Sequence, residues 1–294
     1  MSLCARTIPG LAKLTLGRQP DQTDRRRNLV EKEPGDPLHC LAVDLLTHVV
    51  RHDIGFSRGR AVFDGFYKVD YQAGEVSGRS VMHVARGRML GGNSAFAHVG
   101  FYVEVEGLIT GRLAGQRHAV DRRFRTLFGD DDAEVEMRGW ADGSRYRFES
   151  TPVQAPGVTL HSLMTRLDET SLPPAGAVGE SGIISGLYSV HIRLLDGLAG
   201  GLTGVMVLHN GHILGGDAFF YYLGSYSSAN GRWKGEIINQ EHTAAKSDPV
   251  FGGHEVGIGF SGNCYADGAD WQATALAGKR SLQLVATLTL LQKA

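Results

Sequence analysis

Twelve histidines, three cysteines and 31 acidic residues are the groups through which this chain could do chemistry. His209 and His212 flank Asn210-Gly211, which would bring two imidazoles together at a turn, but two nitrogen ligands without a third make a poor metal site. His83, His191 and His242 fall on alternating segments, where each reads as the polar half of a strand; His83 or His242 as a general base is the least supported option. Glu104 with Glu106, and Glu134 with Glu136, are spaced by two and so share a strand face, the pattern of paired carboxylates and equally of a solvated surface. Asp130-Asp131-Asp132 lacks the regular spacing of calcium ligands. Arg117, His118, Arg122, Arg123 and Arg125, with Phe124 between them, form the one local patch that could attract a phosphate backbone. No nucleophile elbow, phosphate-binding loop or zinc-protease helix occurs. These residues predict no enzyme, and no metal or cofactor.

The elements that would carry these groups come from a repeat. Val81-Met82-His83-Val84-Ala85-Arg86-Gly87-Arg88-Met89-Leu90-Gly91-Gly92-Asn93 aligns without a gap on Val205-Met206-Val207-Leu208-His209-Asn210-Gly211-His212-Ile213-Leu214-Gly215-Gly216-Asp217, an offset of 124 positions. Gly65-Phe66-Tyr67-Lys68-Val69 matches Gly186-Leu187-Tyr188-Ser189-Val190 at an offset of 121. Within the repeats apolar residues alternate with polar ones, as in Leu282, Leu284, Ala286 and Leu288 against Ser281, Gln283 and Thr287. Asn210-Gly211 and Asn230-Gly231 are strong hairpin signals.

The pattern predicts an all-β protein of two tandem antiparallel up-and-down β-barrels of about eight strands each, with an open sandwich as the structural runner-up. The barrels are placed at residues 61–168 and 182–294, joined by a linker at Glu169–Ser181 that carries a proline pair. Residues 1–60 read as a partly disordered tail with a short helix at about 37–50, starting at Asp36-Pro37. The Gly91-Gly92 and Gly215-Gly216 pairs read as barrel corners. Leu284, Leu288, Phe219 and Tyr221 read as bulky fillers of the second interior.

The string Gly204-Val205-Met206-Val207-Leu208-His209-Asn210-Gly211-His212-Ile213-Leu214-Gly215-Gly216-Asp217, preceded by Gly186-Leu187-Tyr188-Ser189-Val190, resembles the GrlR-like family, negative regulators of type III secretion in Gram-negative bacteria. The resemblance implies a lipocalin-like eight-stranded barrel that pairs as a dimer and holds a transcriptional activator inactive by direct contact. It implies further that an acidic run in a loop makes the inhibitory contact. At the matching place this chain has Glu104-Val105-Glu106-Gly107 in the first copy and Ser228-Ala229-Asn230-Gly231 in the second, so Glu104, Glu106, Ser228 and Asn230 become the candidate partner-binding residues.

The bulk properties fit such a protein. With 30 basic and 31 acidic residues the net charge is -1, which gives no bulk attraction to nucleic acid. Cys4, Cys40 and Cys264 are odd in number and far apart, as in a reduced cytoplasm, and no apolar run is long enough for a membrane helix. The expectation is a cytoplasmic, non-enzymatic regulator that binds a protein, possesses no direct nucleic-acid or membrane role, and is a monomer because its two barrels reproduce the family's dimer internally. The alternative is a lipocalin-like carrier of a small apolar ligand.

Overall fold

The computed structural model describes residues 63–121, 123–195, 201–245 and 255–294. The expected tail and its helix at 37–50 lie outside the described residues. The first eight strands are β1 (Gly65–Ala73), β2 (Val76–Ala85), β3 (Arg88–Gly92), β4 (Phe96–Val105), β5 (Leu108–Arg117), β6 (Asp132–Asp142), β7 (Arg145–Pro152) and β8 (Leu160–Arg166). The second eight are β9 (Gly186–Leu194), β10 (Gly201–His209), β11 (His212–Gly216), β12 (Phe220–Ala229), β13 (Arg232–Glu241), β14 (Val256–Cys264), β15 (Gly268–Ala277) and β16 (Arg280–Lys293). Each set closes into an antiparallel barrel, β1 pairing with β8 and β9 with β16. Closure removes the sheet edges, except where a strand is shorter than its neighbour.

Glycine-containing hairpins set the registers. Arg86-Gly87, Glu106-Gly107, Asn210-Gly211 and Asn230-Gly231 all have positive φ at both residues, the backbone of a two-residue turn whose twist matches its flanking strands. The second copy uses asparagine there, which tolerates this region, whereas the first holds Arg86 and Glu106 in it at a cost.

Both interiors are filled by side chains. In the first barrel Phe63 plugs one mouth, its ring centroid 5.0 Å from Tyr102, 4.8 Å from Tyr146 and 5.4 Å from Phe148. In the second, Ile183, one position before the repeat partner of Phe63, is buried in the interior as a plug, and Trp233, Phe260 and Trp271 form a ladder with centroids 4.6 and 5.8 Å apart. Leu284 and Leu288 lie in that interior as expected, but Tyr221 does not: it packs between the barrels, and Phe219 sits half-buried beyond the end of β11. Alternation identifies two faces of a strand without saying which is inside.

The barrels meet through an apolar layer built from Phe66, Val81, Leu90, Val205, Leu214 and Leu223, with neighbours. The paired glycines serve this interface. A Cβ on Gly92 would lie 3.0 Å from Val205 Cγ1 and one on Gly216 would lie 3.1 Å from Val81 Cγ1, so each glycine receives the other barrel's valine. Because 81 and 205, like 92 and 216, are repeat partners, the contact is self-complementary, as across a twofold axis.

Candidate functional site

The four candidate residues occupy equivalent places in the two barrels and have opposite fates. β3 begins at Arg88, opposite Phe101, and the Tyr102 N–H still donates to Gly87 O at 2.9 Å. Beyond that point no described residue pairs with β4 on its β3 side. In the second barrel β11 begins at His212, opposite Ser225, and the same bond recurs from Tyr226 N to Gly211 O at 2.9 Å. There, however, the edge is filled.

The filler is the linker. The Gly179 N–H donates to Ser228 O at 2.8 Å and the Ser228 N–H donates to Ala177 O at 2.9 Å, a parallel bridge centred on Val178. The Asn230 and Gly231 N–H groups donate to Glu180 O and Ser181 O, both at 2.9 Å. Ser228 Oγ accepts from the Ile183 N–H at 3.1 Å, which fixes the plug of the barrel mouth. The linker expected at 169–181 is therefore in large part a strap added to β12. Ser228 is buried at 3 % exposure, so the expectation that it contacts a partner is corrected: the chain's own strap takes its main chain and its hydroxyl. Asn230 keeps an exposed side chain, while its N–H is held by the strap.

In the first barrel no described residue covers the corresponding strand end, which is apolar. Phe101, Val103 and Val105 project outward at 46, 58 and 64 % exposure, where β12 carries Ser225, Ser227 and Ala229. Glu106 is exposed in the turn, and beside it a groove of about 500 Å³ is lined by Glu106, Leu108, Arg138, Trp140 and Glu149. Glu104 points the other way, to the barrel mouth; its Oε2 is buried without a hydrogen-bond partner. Burial first, and then the Glu104 carboxylate, hold the Tyr146 hydroxyl above its ordinary pKa.

Main chain that no described residue pairs, outward apolar side chains and the flanking Glu106 carboxylate together suit an extended peptide that adds a strand, the main chain giving affinity and the side chains selectivity. The repeat offset of 124 could have linked Glu104 to Ser228, but nothing in composition shows that a proline-containing linker straps one copy alone.

His209 and His212 are cross-strand partners, and among the described residues no group of three ligands could hold a metal. Glu134 and Glu136 both pair with Arg112. Of the basic patch, Arg117 pairs with Asp131 and lies over the Phe96 ring, and Arg123 pairs with Asp121. Arg122 lies outside the described residues. His118 and His242 are repeat partners at the barrel interface: the His118 ring is 6.4 Å from His191, and His242 senses Lys68, Asp70 and Arg79 of the first barrel. Burial lowers the pKa of both, to about 4 for His242.

A conspicuous exchange lies under these histidines. Asn93 Oδ1 accepts from the Ala95 and Phe96 N–H groups, and its Nδ2 donates to Tyr71 Oη at 3.0 Å. Its repeat partner Asp217 accepts from the Phe219 and Phe220 N–H groups and interacts with the Tyr222 hydroxyl. Burial pushes the Asp217 carboxyl up to about 6 despite these donors.

No protein-family model and no curated protein matches this chain. Among solved structures it is similar to a "putative outer membrane protein" of Bacteroides fragilis NCTC 9343, at 8 % identity and a TM-score of 0.22, covering 79 % of this chain and 97 % of the other. Among the described residues no helix is long and apolar enough to cross a membrane, which says nothing of strands.

Proposed function

We propose that this chain is a non-enzymatic regulatory protein that acts by binding another protein, and that the partner adds an extended segment to the open end of β4 in the first barrel. One observation carries this: the same strand end is filled by the linker in the second barrel and, in the first, carries exposed Phe101, Val103 and Val105 beside Glu106. An unpaired edge flanked by apolar side chains is a liability for association unless it is used.

The resemblance of the duplicated hairpin to GrlR-like regulators supports a transcriptional activator as partner; of the acidic pair that stands where that family's acidic contact is expected, Glu106 faces outward and Glu104 inward. A segment bearing lysine or arginine beside apolar residues would complement it. The self-complementary barrel interface supports a monomer that contains its own pseudo-dimer. The alternation of Leu282, Leu284 and Leu288 inward with Ser281, Gln283 and Thr287 outward supports water-facing barrels and a cytoplasmic location, being the reverse of a membrane barrel's pattern. The carrier alternative draws no support from interiors filled by aromatic and aliphatic side chains.

Site-specific photocrosslinking in cells tests the proposal. A crosslinker at Val103 is expected to capture one protein in defined stoichiometry, and the same group at Ser227 only the chain itself. No capture at Val103, or equal capture at both positions, refutes the docking edge.

A further inference from the structure

Resting on the docking reading above, we infer that the β4 edge selects a partner segment of one pattern: glycine, an apolar residue, any residue, glycine, then lysine or arginine. The segment runs parallel to β4, as the strap runs parallel to β12.

The two edges share one geometry. Glu104 faces Ile109 on β5 as Ser228 faces Trp233 on β13. Residues in equivalent register turn their main-chain groups the same way, so the Glu104 N–H and C=O point off β4 on the side where Ser228 meets the strap. The hairpins that frame the edge also agree. φ is 52° and 80° at Arg86 and Gly87 against 48° and 82° at Asn210 and Gly211, and 52° and 78° at Glu106 and Gly107 against 53° and 72° at Asn230 and Gly231. The groups that hold the strap, the Ser228 N–H and C=O with the Asn230 and Gly231 N–H groups, therefore have counterparts at Glu104, Glu106 and Gly107.

Close approach sets the two glycines. A Cβ on Gly176 would lie 2.1 Å from Tyr226 O, and one on Gly179 would lie 3.2 Å from Ala229 Cβ. On β4 the neighbours are Tyr102 and the larger Val105, so a segment in the same place needs glycine at both positions.

The differences between the edges set the other two positions. The Ala177 N–H donates to Ser227 Oγ at 3.1 Å. Val103 stands in the place of Ser227 and Phe101 in that of Ser225, both outward, so an apolar side chain after the first glycine gains contacts that the strap does not make. Glu180 O accepts from the Asn230 N–H, whose counterpart is the exposed Glu106. A lysine or arginine at that position meets an opposite charge, where Glu180 would meet a like one. The chain's own strap thus suits β12 and is mismatched on β4, which keeps the strap of a second copy off the docking edge.

Peptide titration of the full chain, followed through its amide signals by NMR, tests the pattern. A synthetic peptide with the sequence of residues 174–181 carrying Ala177→Leu and Glu180→Lys is expected to shift the Glu104, Glu106 and Gly107 amides saturably, and to bind at least about tenfold tighter than the unchanged peptide. Adding Gly176→Val to the peptide is expected to abolish binding, and Val103→Ser in the protein to remove the gain from Ala177→Leu. A spin label at the peptide's N-terminus is expected to broaden the Gly87 and Arg88 amides, and one at its C-terminus those of Glu106 and Gly107, the mark of parallel addition. Equal affinity of the changed and unchanged peptides, indifference to Gly176→Val, reversed labels or no binding overturns the inference. Shifts at the Ser228 and Asn230 amides instead assign the peptide to exchange with the strap and also overturn it. Selective peptide binding without capture at Val103 in cells refutes the docking reading alone; capture of a partner whose contacting segment lacks the two glycines refutes the pattern alone.

Discussion

Val81 of the first barrel packs against Gly216 of the second, where a Cβ would lie 3.1 Å from Val81 Cγ1, and Val205 repeats the contact on Gly92 at 3.0 Å. The two valines are fully buried. A contact that recurs with the copies exchanged is what an isologous dimer interface becomes when both subunits are on one chain.

Equal costs follow for equivalent truncations. Val81→Ala and Val205→Ala are each expected to lower stability by about 2 kcal/mol, and the two values should agree closely, since each removes the same methyls from the same layer. Urea unfolding followed by intrinsic fluorescence measures both. A large effect from one and none from the other would contradict the pseudo-twofold contact.

The repeat, the strand alternation and the hairpins at Asn210-Gly211 and Asn230-Gly231 were legible because turn chemistry and period are local properties. The role of Gly92 and Gly216 was not, because their neighbours Val205 and Val81 lie more than a hundred positions away and a glycine that admits a partner's side chain reads like one that bends a strand. Tyr221 was misplaced for a related reason: an outward residue buried by a second barrel has the composition of an inward one. At the candidate site Glu104 and Glu106 were legible through the family resemblance, while the burial of Ser228 depends on where the linker lies.

The Asn93-to-Asp217 exchange predicts a pH-dependent gain. Asp217 has a folded pKa of about 6, raised by burial, so its favourable form is the protonated one; that stability is complete below the unfolded value near 3.8 and is lost as pH rises through 6. Asp217→Asn copies the first barrel and is expected to raise stability by roughly 1–2 kcal/mol at pH 7.5, with the gain disappearing near pH 4. Thermal melts of both proteins across that range give the difference. A loss of stability at pH 7.5 would show that the ionised carboxylate is needed.

Buried neutral histidines act in the opposite sense. Burial lowers His83, His98 and His242 to about 4, so their stabilisation is complete above 6.5 and is lost as pH falls from 6.5 towards 4, where only the unfolded chain takes up the protons. His98 Nδ1 is also buried without a partner. His98→Leu is expected to reduce this acid-induced loss by on the order of 2 kcal/mol, measured as the change in stability between pH 7 and pH 4.5. An unchanged slope would mean that His98 is protonated in the fold.

The turn residues of the first copy are open to improvement. Arg86 has φ of 52° where the second copy has Asn210 at 48°. Arg86→Asn is expected to stabilise the protein by about 0.5–1 kcal/mol in chemical denaturation. Glu106→Asn should gain as much while weakening the partner, which would separate a turn kept for function from one left unimproved.

The account places recognition on one strand end of one barrel, and titration calorimetry with the protein captured at Val103 measures that most directly. Glu106→Arg is expected to weaken binding at least about tenfold, while Asn230→Arg at the equivalent turn of the second barrel leaves it unchanged. Equal losses from both changes, or none from Glu106→Arg, would contradict it.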